Sequence, residues 1–235
     1  MFRRKNNQPF QQSAAITMAL PSAAISEQFR VLRTNIHFSM VDKQLNSLAI
    51  TSASNNVGKS TVAINLAITI AQQGTRVLLV DCDFRRPTVH KHFKLANAHG
   101  LTDLLKDPTG VVQDYVQTTK LADLSVLTGG PTPPNPAELL SSKRMIHLER
   151  TFKDHFDFVI YDTPPLLGFA DAQIVAGRAD GTIFVVKHGV STKMDSLKAS
   201  EALKRVNAHV LGAVYNCVPV NSEDEIRYSY YQKDS

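Results

Sequence analysis

Apolar residues first recur with helical period at Ile25, Phe29, Leu32 and Ile36, spaced i, i+4, i+7 and i+11. They form one stripe, and Glu27, Arg30 and Arg33 lie off it. The period then changes. Residues 45–51 predict a strand, and residues 60–73 a helix stopped at Gly74, a residue suited to the position just past a helix end. Residues 76–80 read Arg-Val-Leu-Leu-Val, an apolar run bounded by turn residues, as a parallel strand covered on both faces requires. Further strands are predicted at 124–127, 156–161, 181–187 and 210–215, and helices at 142–154 and 193–206. Ala199, Ala202, Leu203 and Val206 are the expected buried face of the last helix. Strands alternating with helices over about 170 residues predict an α/β fold: one domain with a doubly wound, mainly parallel sheet flanked by helices.

The pattern fades at both ends. Residues 1–21, rich in Gln, Asn and Ser and closed by Pro21, read as a flexible arm; 22–220 form the domain; 221–235 are a polar, flexible tail. The chain of 235 residues has one core's worth of apolar sequence, with 43% hydrophobic and 20% charged residues. Its net charge of +5 is mild. No basic run interleaved with aromatics is present, so nucleic acid is not an expected partner. Cys82 and Cys217 lack metal-ligand spacing and read as thiols in a reducing compartment. The apolar run 14–20 is too short and too far from Arg3-Arg4-Lys5 for a signal peptide, and no stretch reaches the roughly 20 apolar residues of a membrane span. A cytoplasmic location is expected, with any membrane association supplied by a partner.

Chemistry enters between the first strand and its helix. Residues 51–61 read Thr-Ser-Ala-Ser-Asn-Asn-Val-Gly-Lys-Ser-Thr. Successive backbone N–H groups there can cradle phosphates at the positive end of the following helix. Gly58 permits close approach, Lys59 can reach the β- and γ-phosphates, and the Ser60 hydroxyl can ligate Mg²⁺. Ala53 stands where the usual pattern has its first glycine, so the motif's strength lies in its placement after a strand and before a helix. The fold expected is therefore that of a P-loop NTPase.

Two apolar strands end in carboxylates, one at Asp81 and Asp83 and the other at Asp162. The carboxyl ends of strands line the ligand crevice of an open parallel sheet, so these groups should converge on the Lys59 loop. Phosphoryl transfer needs such groups for metal positioning and for taking the acceptor's proton.

At this point the sequence resembles the bacterial tyrosine kinases (BY-kinases) of the capsule and exopolysaccharide type, from residue 25 to the tail. The matching marks are Gly58 to Thr61, Asp81-x-Asp83-x-Arg85-Arg86-Pro87, Asp162-Thr-Pro-Pro165, the proline-rich loop 130–140, Glu27-x-x-Arg30-x-x-Arg33, and the cluster Tyr228-Ser-Tyr230-Tyr231. The resemblance implies ATP and Mg²⁺ as cofactors. Lys59 and the amides of Asn55, Asn56, Val57, Gly58, Ser60 and Thr61 would hold the phosphates. Ser60, Asp83 and Asp162 would hold the metal, Asp81 would be the base for the phenol, and Asn216 would contact adenine. It further implies autophosphorylation at Tyr228, Tyr230 and Tyr231. Glu27, Arg30 and Arg33 would be the contact of a homo-oligomeric, octameric ring. Its expected partners are a transmembrane activator, or chain-length determinant, whose cytoplasmic tail recruits the kinase to the membrane's inner face, and a cognate tyrosine phosphatase.

Half of the six tyrosines lie in the last eight residues, and a tethered tail raises the local concentration of acceptor. The chain departs from the family in one place: members usually carry Pro-Gly-Glu where this one has Asn55-Asn56-Val57. Two other readings stay open. One is an ATP-switched positioning or partitioning ATPase, although Ser54 stands where those proteins carry a signature lysine. The other is a weakly active, kinase-like assembly scaffold.

Overall fold

The computed structural model describes residues 15–39 and 45–219. The strands are β1 (Ser47–Ser52), β2 (Val77–Asp81), β3 (Gln117–Thr118), β4 (Leu124–Leu127), β5 (Phe158–Asp162), β6 (Gly181–Lys187) and β7 (Val210–Asn216). The helices are α1 (Ile16–Ala19), α2 (Ala24–Phe38), α3 (Lys59–Ala71), α4 (Val89–Phe93), α5 (Leu101–Lys106), α6 (Val112–Tyr115), α7 (Pro136–Ser141), α8 (Lys143–His155), α9 (Asp171–Ala176) and α10 (Lys193–Arg205). The sheet runs β3-β4-β2-β5-β1-β6-β7, and all pairings are parallel except β3 with β4. Every residue of β1, β2 and β5 is buried, which is why these strands read as unbroken apolar runs. From β1 the chain passes to β2 on one side, whereas β6 and β7 lie on the other. That reversal of strand order opens a crevice above the carboxyl end of β1.

Two apolar clusters fill the faces of the sheet. One gathers Phe29 and Ile36 of α2 with Ile64 and Ile68 of α3 over Leu48, Leu79 and Ile160. The other gathers Met145, Leu148 and Phe152 of α8 with Leu78, Val159 and Tyr161. The expected elements form with boundaries shifted by one or two residues. Ile25, placed on the stripe by its spacing, is exposed, and Val206 is only half-buried. The two-residue β3 and the short helices are too brief to show a period.

Helix α3 is buried almost all round, because α1 and α2 cover the side away from the sheet. Within its apolar surface sits Asn65, wholly buried, whose Oδ1 accepts from the Thr17 amide at 2.8 Å and the Thr17 hydroxyl at 3.0 Å. Its Nδ2 donates to the Thr61 carbonyl at 2.8 Å. Residues 15–20, which the sequence reading assigns to the arm, are therefore docked, with Ala15 and Thr17 buried. A buried amide that matches a backbone donor and a hydroxyl gives this short segment a fixed seat.

Asn65→Ala leaves the Thr17 donors buried and unpartnered, which costs about 2–3 kcal/mol. The expected outcome is a melting temperature lowered by roughly 5–10 °C, with protease cleavage appearing near residues 15–20. Unchanged melting and cleavage would show that the seat contributes nothing.

Candidate active site

The nucleotide loop runs from the end of β1 into α3. Asn56 (φ 58°) and Gly58 (φ 95°) take left-handed backbone, which turns the chain so that successive amides face one side. Asn55 and Asn56 are exposed, Val57 is fully buried as an anchor, and Thr61 and Ser60 are half-buried. A side chain at 58 would collide with Asn216, whose Nδ2 would stand 2.1 Å from the added carbon. Asn216, at the end of β7, donates that Nδ2 to the Val57 carbonyl at 2.9 Å, so its amide braces the loop from behind. Lys187, at the end of β6, braces it too, donating to the Asn56 carbonyl at 3.2 Å. Sequence reasoning missed Lys187, although its place at a strand's carboxyl end was a usable signal.

The carboxylates converge as expected. Asp81 and Asp162 are register partners on adjacent strands, and both are completely buried; Asp83 is nearly so. Lys59, 6% exposed, is the cation of this group and draws down the pKa of both Asp83 and Asp162. Asp81 has the most backbone donors of the three. Its Oδ1 accepts from the Asp83 amide at 3.1 Å, and its Oδ2 from the amides of Thr88 at 3.1 Å and Val89 at 3.2 Å. Burial first, then the Asp162 charge, push its pKa well up despite those bonds. Gly129 closes the space above it: a side-chain carbon there would stand 3.3 Å from Pro87 Cβ and 3.8 Å from Asp81 Cγ. Asp83 accepts from the Arg86 amide at 3.1 Å, and burial raises its pKa.

Asp162 is the exception to this pattern of satisfied groups. Neither of its oxygens has a hydrogen-bond partner of acceptable geometry. Burial pushes its pKa up to about 7, even though the nearby Ser60 hydroxyl and Lys59 pull it down. A buried carboxylate without donors is a costly arrangement that a bound cation would relieve. Among the described residues no three His, Cys, Asp or Glu side chains converge as a self-sufficient metal cage. That fits Mg²⁺, which takes one or two carboxylates and completes its shell with phosphate oxygens and water. The residues present thus fit a Mg-nucleotide, with Ser60, Asp83 and Asp162 on the metal side.

Arg85 forms an ion pair with the buried Asp171 (Nε–Oδ2 2.8 Å), and its guanidinium lies 3.9 Å above the Phe169 ring. On α2, Arg30 pairs with Glu27 at 2.7 Å, but Arg33 turns inward and donates to the Thr69 carbonyl of α3 at 2.8 Å. Tyr228, Tyr230 and Tyr231 lie outside the described residues.

A glycine-lysine-serine loop between a central strand and a buried helix, facing carboxylates on the neighbouring strand ends, defines a P-loop nucleotide-binding domain. A family model described as an AAA domain matches residues 45–207. The chain is 47% identical to tyrosine-protein kinase YwqD of Bacillus subtilis (strain 168) over 231 residues, which is 98% of this chain and 96% of that one. It is 38% identical to the putative tyrosine-protein kinase CapB of Staphylococcus aureus, covering 91% of this chain and 93% of the relative. The solved kinase domain of the Escherichia coli tyrosine kinase ETK superposes with a TM-score of 0.84 at 33% identity, covering 94% of this chain and 85% of that domain. The chain belongs to the bacterial tyrosine kinases, within the AAA-domain family.

Asp162 gives a stability test. In an unfolded chain an aspartate titrates near 3.9, whereas in the folded protein Asp162 does so at about 7. The folded state holds the proton more tightly, so stability falls as pH rises from about 4 to about 7 and stays lowered above. Asp162→Asn removes the charge. At pH 8 the nucleotide-free variant is expected to melt roughly 2–10 °C above the parent, with the gap closing near pH 4. A variant melting below the parent at pH 8 would overturn this account of the site.

Proposed function

We propose that the protein is a Mg-ATP-dependent tyrosine autokinase that phosphorylates its own C-terminal cluster, Tyr228, Tyr230 and Tyr231. Through that modification it regulates polymerisation and export of a capsular or exopolysaccharide. The observation that carries the reading is the orphaned Asp162 carboxylate beside the nucleotide loop, in a chain similar over 98% of its length to a tyrosine kinase. The positioning-ATPase alternative is less supported, since relatives that match nearly end to end are named tyrosine kinases.

In this reading the amides of residues 55–61 and Lys59 bind the phosphates. Ser60, Asp83 and Asp162 would hold the metal, which would supply neutralising charge to the phosphate oxygens. The phenolic oxygen attacks the γ-phosphorus, the bond to the β-phosphate oxygen breaks, and the phenol's proton passes to Asp81. A raised carboxylate pKa brings that acceptor closer to the phenol's value of about 10. The enclosure of Asp81 by amides and by Gly129 means the base must be uncovered before a tyrosine can reach it. That requirement gives an activator something to do. The proposed activator is a transmembrane protein that recruits the kinase to the membrane through its cytoplasmic tail, with a cognate phosphatase reversing the modification. The matched part makes up only 29% of full-length etk of Escherichia coli K12, so most of that relative lies outside the kinase region. Asn216, braced against Val57, remains the proposed neighbour of adenine.

Incubation with Mg-ATP, with and without the activator's tail, is expected to place phosphate on Tyr228, Tyr230 or Tyr231 by mass spectrometry, and Lys59→Met is expected to abolish it. Absence of phosphotyrosine under every condition would sink the kinase reading; ATP-dependent dimerisation without it would favour the positioning ATPase.

Glu27, Arg30 and Arg33 are the proposed contact of a ring, octameric as the resemblance implies. Glu27 is exposed and Arg30 half-buried; their ion pair is worth only a few tenths of a kcal/mol within the subunit, and Arg30 also donates to the Pro21 carbonyl at 2.5 Å. Arg33 is partly committed to α3. Arg30→Ala is therefore expected to shrink the particle seen by light scattering with only a small drop in melting temperature, and Arg30→Ala with Arg33→Ala to shrink it further at a larger cost in stability. An unchanged particle mass in both variants removes the assignment.

A further inference from the structure

Thr88 occupies the N-cap position of α4, where a threonine hydroxyl ordinarily accepts from an amide in the first turn of the helix. Here it makes no such bond. Its Oγ1 instead donates to Ser60 Oγ at 3.1 Å, across to the nucleotide loop. Its own amide donates to Asp81 Oδ2 at 3.1 Å. One half-buried residue thus touches the hydroxyl on the metal side of the site and the carboxylate on the acceptor side. Lys91 N is satisfied by the Thr88 backbone carbonyl at 3.0 Å, so the side chain is released from capping without leaving that amide unpaired.

We propose that Thr88 is a positioning residue that fixes the rotor of the Ser60 hydroxyl for metal binding and ties that geometry to the Asp81 loop. A serine hydroxyl has two lone pairs and one proton, and the proton rotates to suit its neighbours. With one lone pair accepting from Thr88, the remaining lone pair and the proton are confined to the other two directions. No hydrogen bond to Asp162 takes up either of those directions. The second lone pair is left for the cation. The proposal rests on the reading of Ser60 as a metal ligand, and it adds a residue outside the family motifs that ends at Pro87.

Thr88→Val keeps the shape and the backbone amide but removes the hydroxyl, while Thr88→Ser keeps the hydroxyl. The measurement is binding of a fluorescent ADP analogue titrated with Mg²⁺, beside the same titration in EDTA. Thr88→Val is expected to need about three- to tenfold more Mg²⁺ for half-maximal effect, the loss associated with one hydrogen bond. Affinity in EDTA and the melting temperature of the nucleotide-free protein are expected to be unchanged, and Thr88→Ser to restore the parent's Mg²⁺ dependence. A Thr88→Val titration that superposes on the parent overturns the proposal, as does a Thr88→Ser variant as defective as Thr88→Val, which would assign the effect to packing. If the parent itself binds nucleotide indifferently to Mg²⁺ and Ser60→Ala binds as the parent does, the reading of Ser60 as a metal ligand fails instead.

Discussion

The structure depends on holding Asp81, Asp83 and Asp162 out of water at one end of the sheet, with the buried Lys59 as the cation beside Asp83 and Asp162. Carboxylates in this state repel one another and lose their hydration. The sheet register leaves no choice about the closest pair, because Asp81 and Asp162 are opposite one another on hydrogen-bonded strands. What the fold can do is supply donors. Asp81 receives three amides and Asp83 one, all from the turn that leads into α4. Asp162 receives none. The unrelieved group is thus one that lies beside Ser60 and Lys59 of the nucleotide loop. A cation held there would relieve the cost of burying that charge.

That arrangement requires the nucleotide loop to be stiff, since a mobile loop would let water in to relieve the charge. Stiffness comes from below and from behind. Below, α3 is sealed on its outer side by α1 and α2, with Asn65 fixing one and Arg33 the other. Behind, Asn216 and Lys187 hold the loop's carbonyls from the ends of β7 and β6. The helix that carries the proposed ring contact therefore bears directly on the helix that carries Lys59.

How much of this was legible in the sequence follows from the length scale of each feature. Strands buried on both faces announce themselves as apolar runs, so the sheet and the strand-end aspartates could be read directly. The convergence of Asp81, Asp83 and Asp162 on Lys59 followed from a general rule about parallel sheets. The docking of residues 15–20 was not legible, because it hangs on one buried amide, Asn65, in a helix that otherwise looks uniformly apolar. Thr88 and Gly129 were missed for a related reason. Their roles arise from contacts between segments 28 and 48 residues apart in the chain, between Thr88 and Ser60 and between Gly129 and Asp81. Neither residue type carries a spacing signal. Arg33 shows the opposite limit: its spacing suggested an outward interface, while the fold also gives it an inward bond.

The departure at residues 55–57 takes on a physical meaning once the backbone is known. The family's usual glycine aligns with Asn56, whose φ of 58° lies in the left-handed region where glycine is the default and asparagine the common substitute. The loop's turn is therefore preserved by a residue that tolerates it. The family's usual glutamate aligns with Val57, which is fully buried here and belongs to the core cluster beneath α3. Its place in the loop has changed from charge to packing. Lys187 then bonds to the neighbouring carbonyl rather than to an acidic side chain at 57. A loop anchored by an apolar plug and braced by a lysine keeps the cradle's shape while carrying one negative charge fewer beside the phosphates. Less repulsion favours tight holding of the nucleotide, and the same change removes a group that could have helped reorganise the loop during transfer. The cradle is thus set in place ahead of transfer, while Asp81 stays fully buried until something uncovers it.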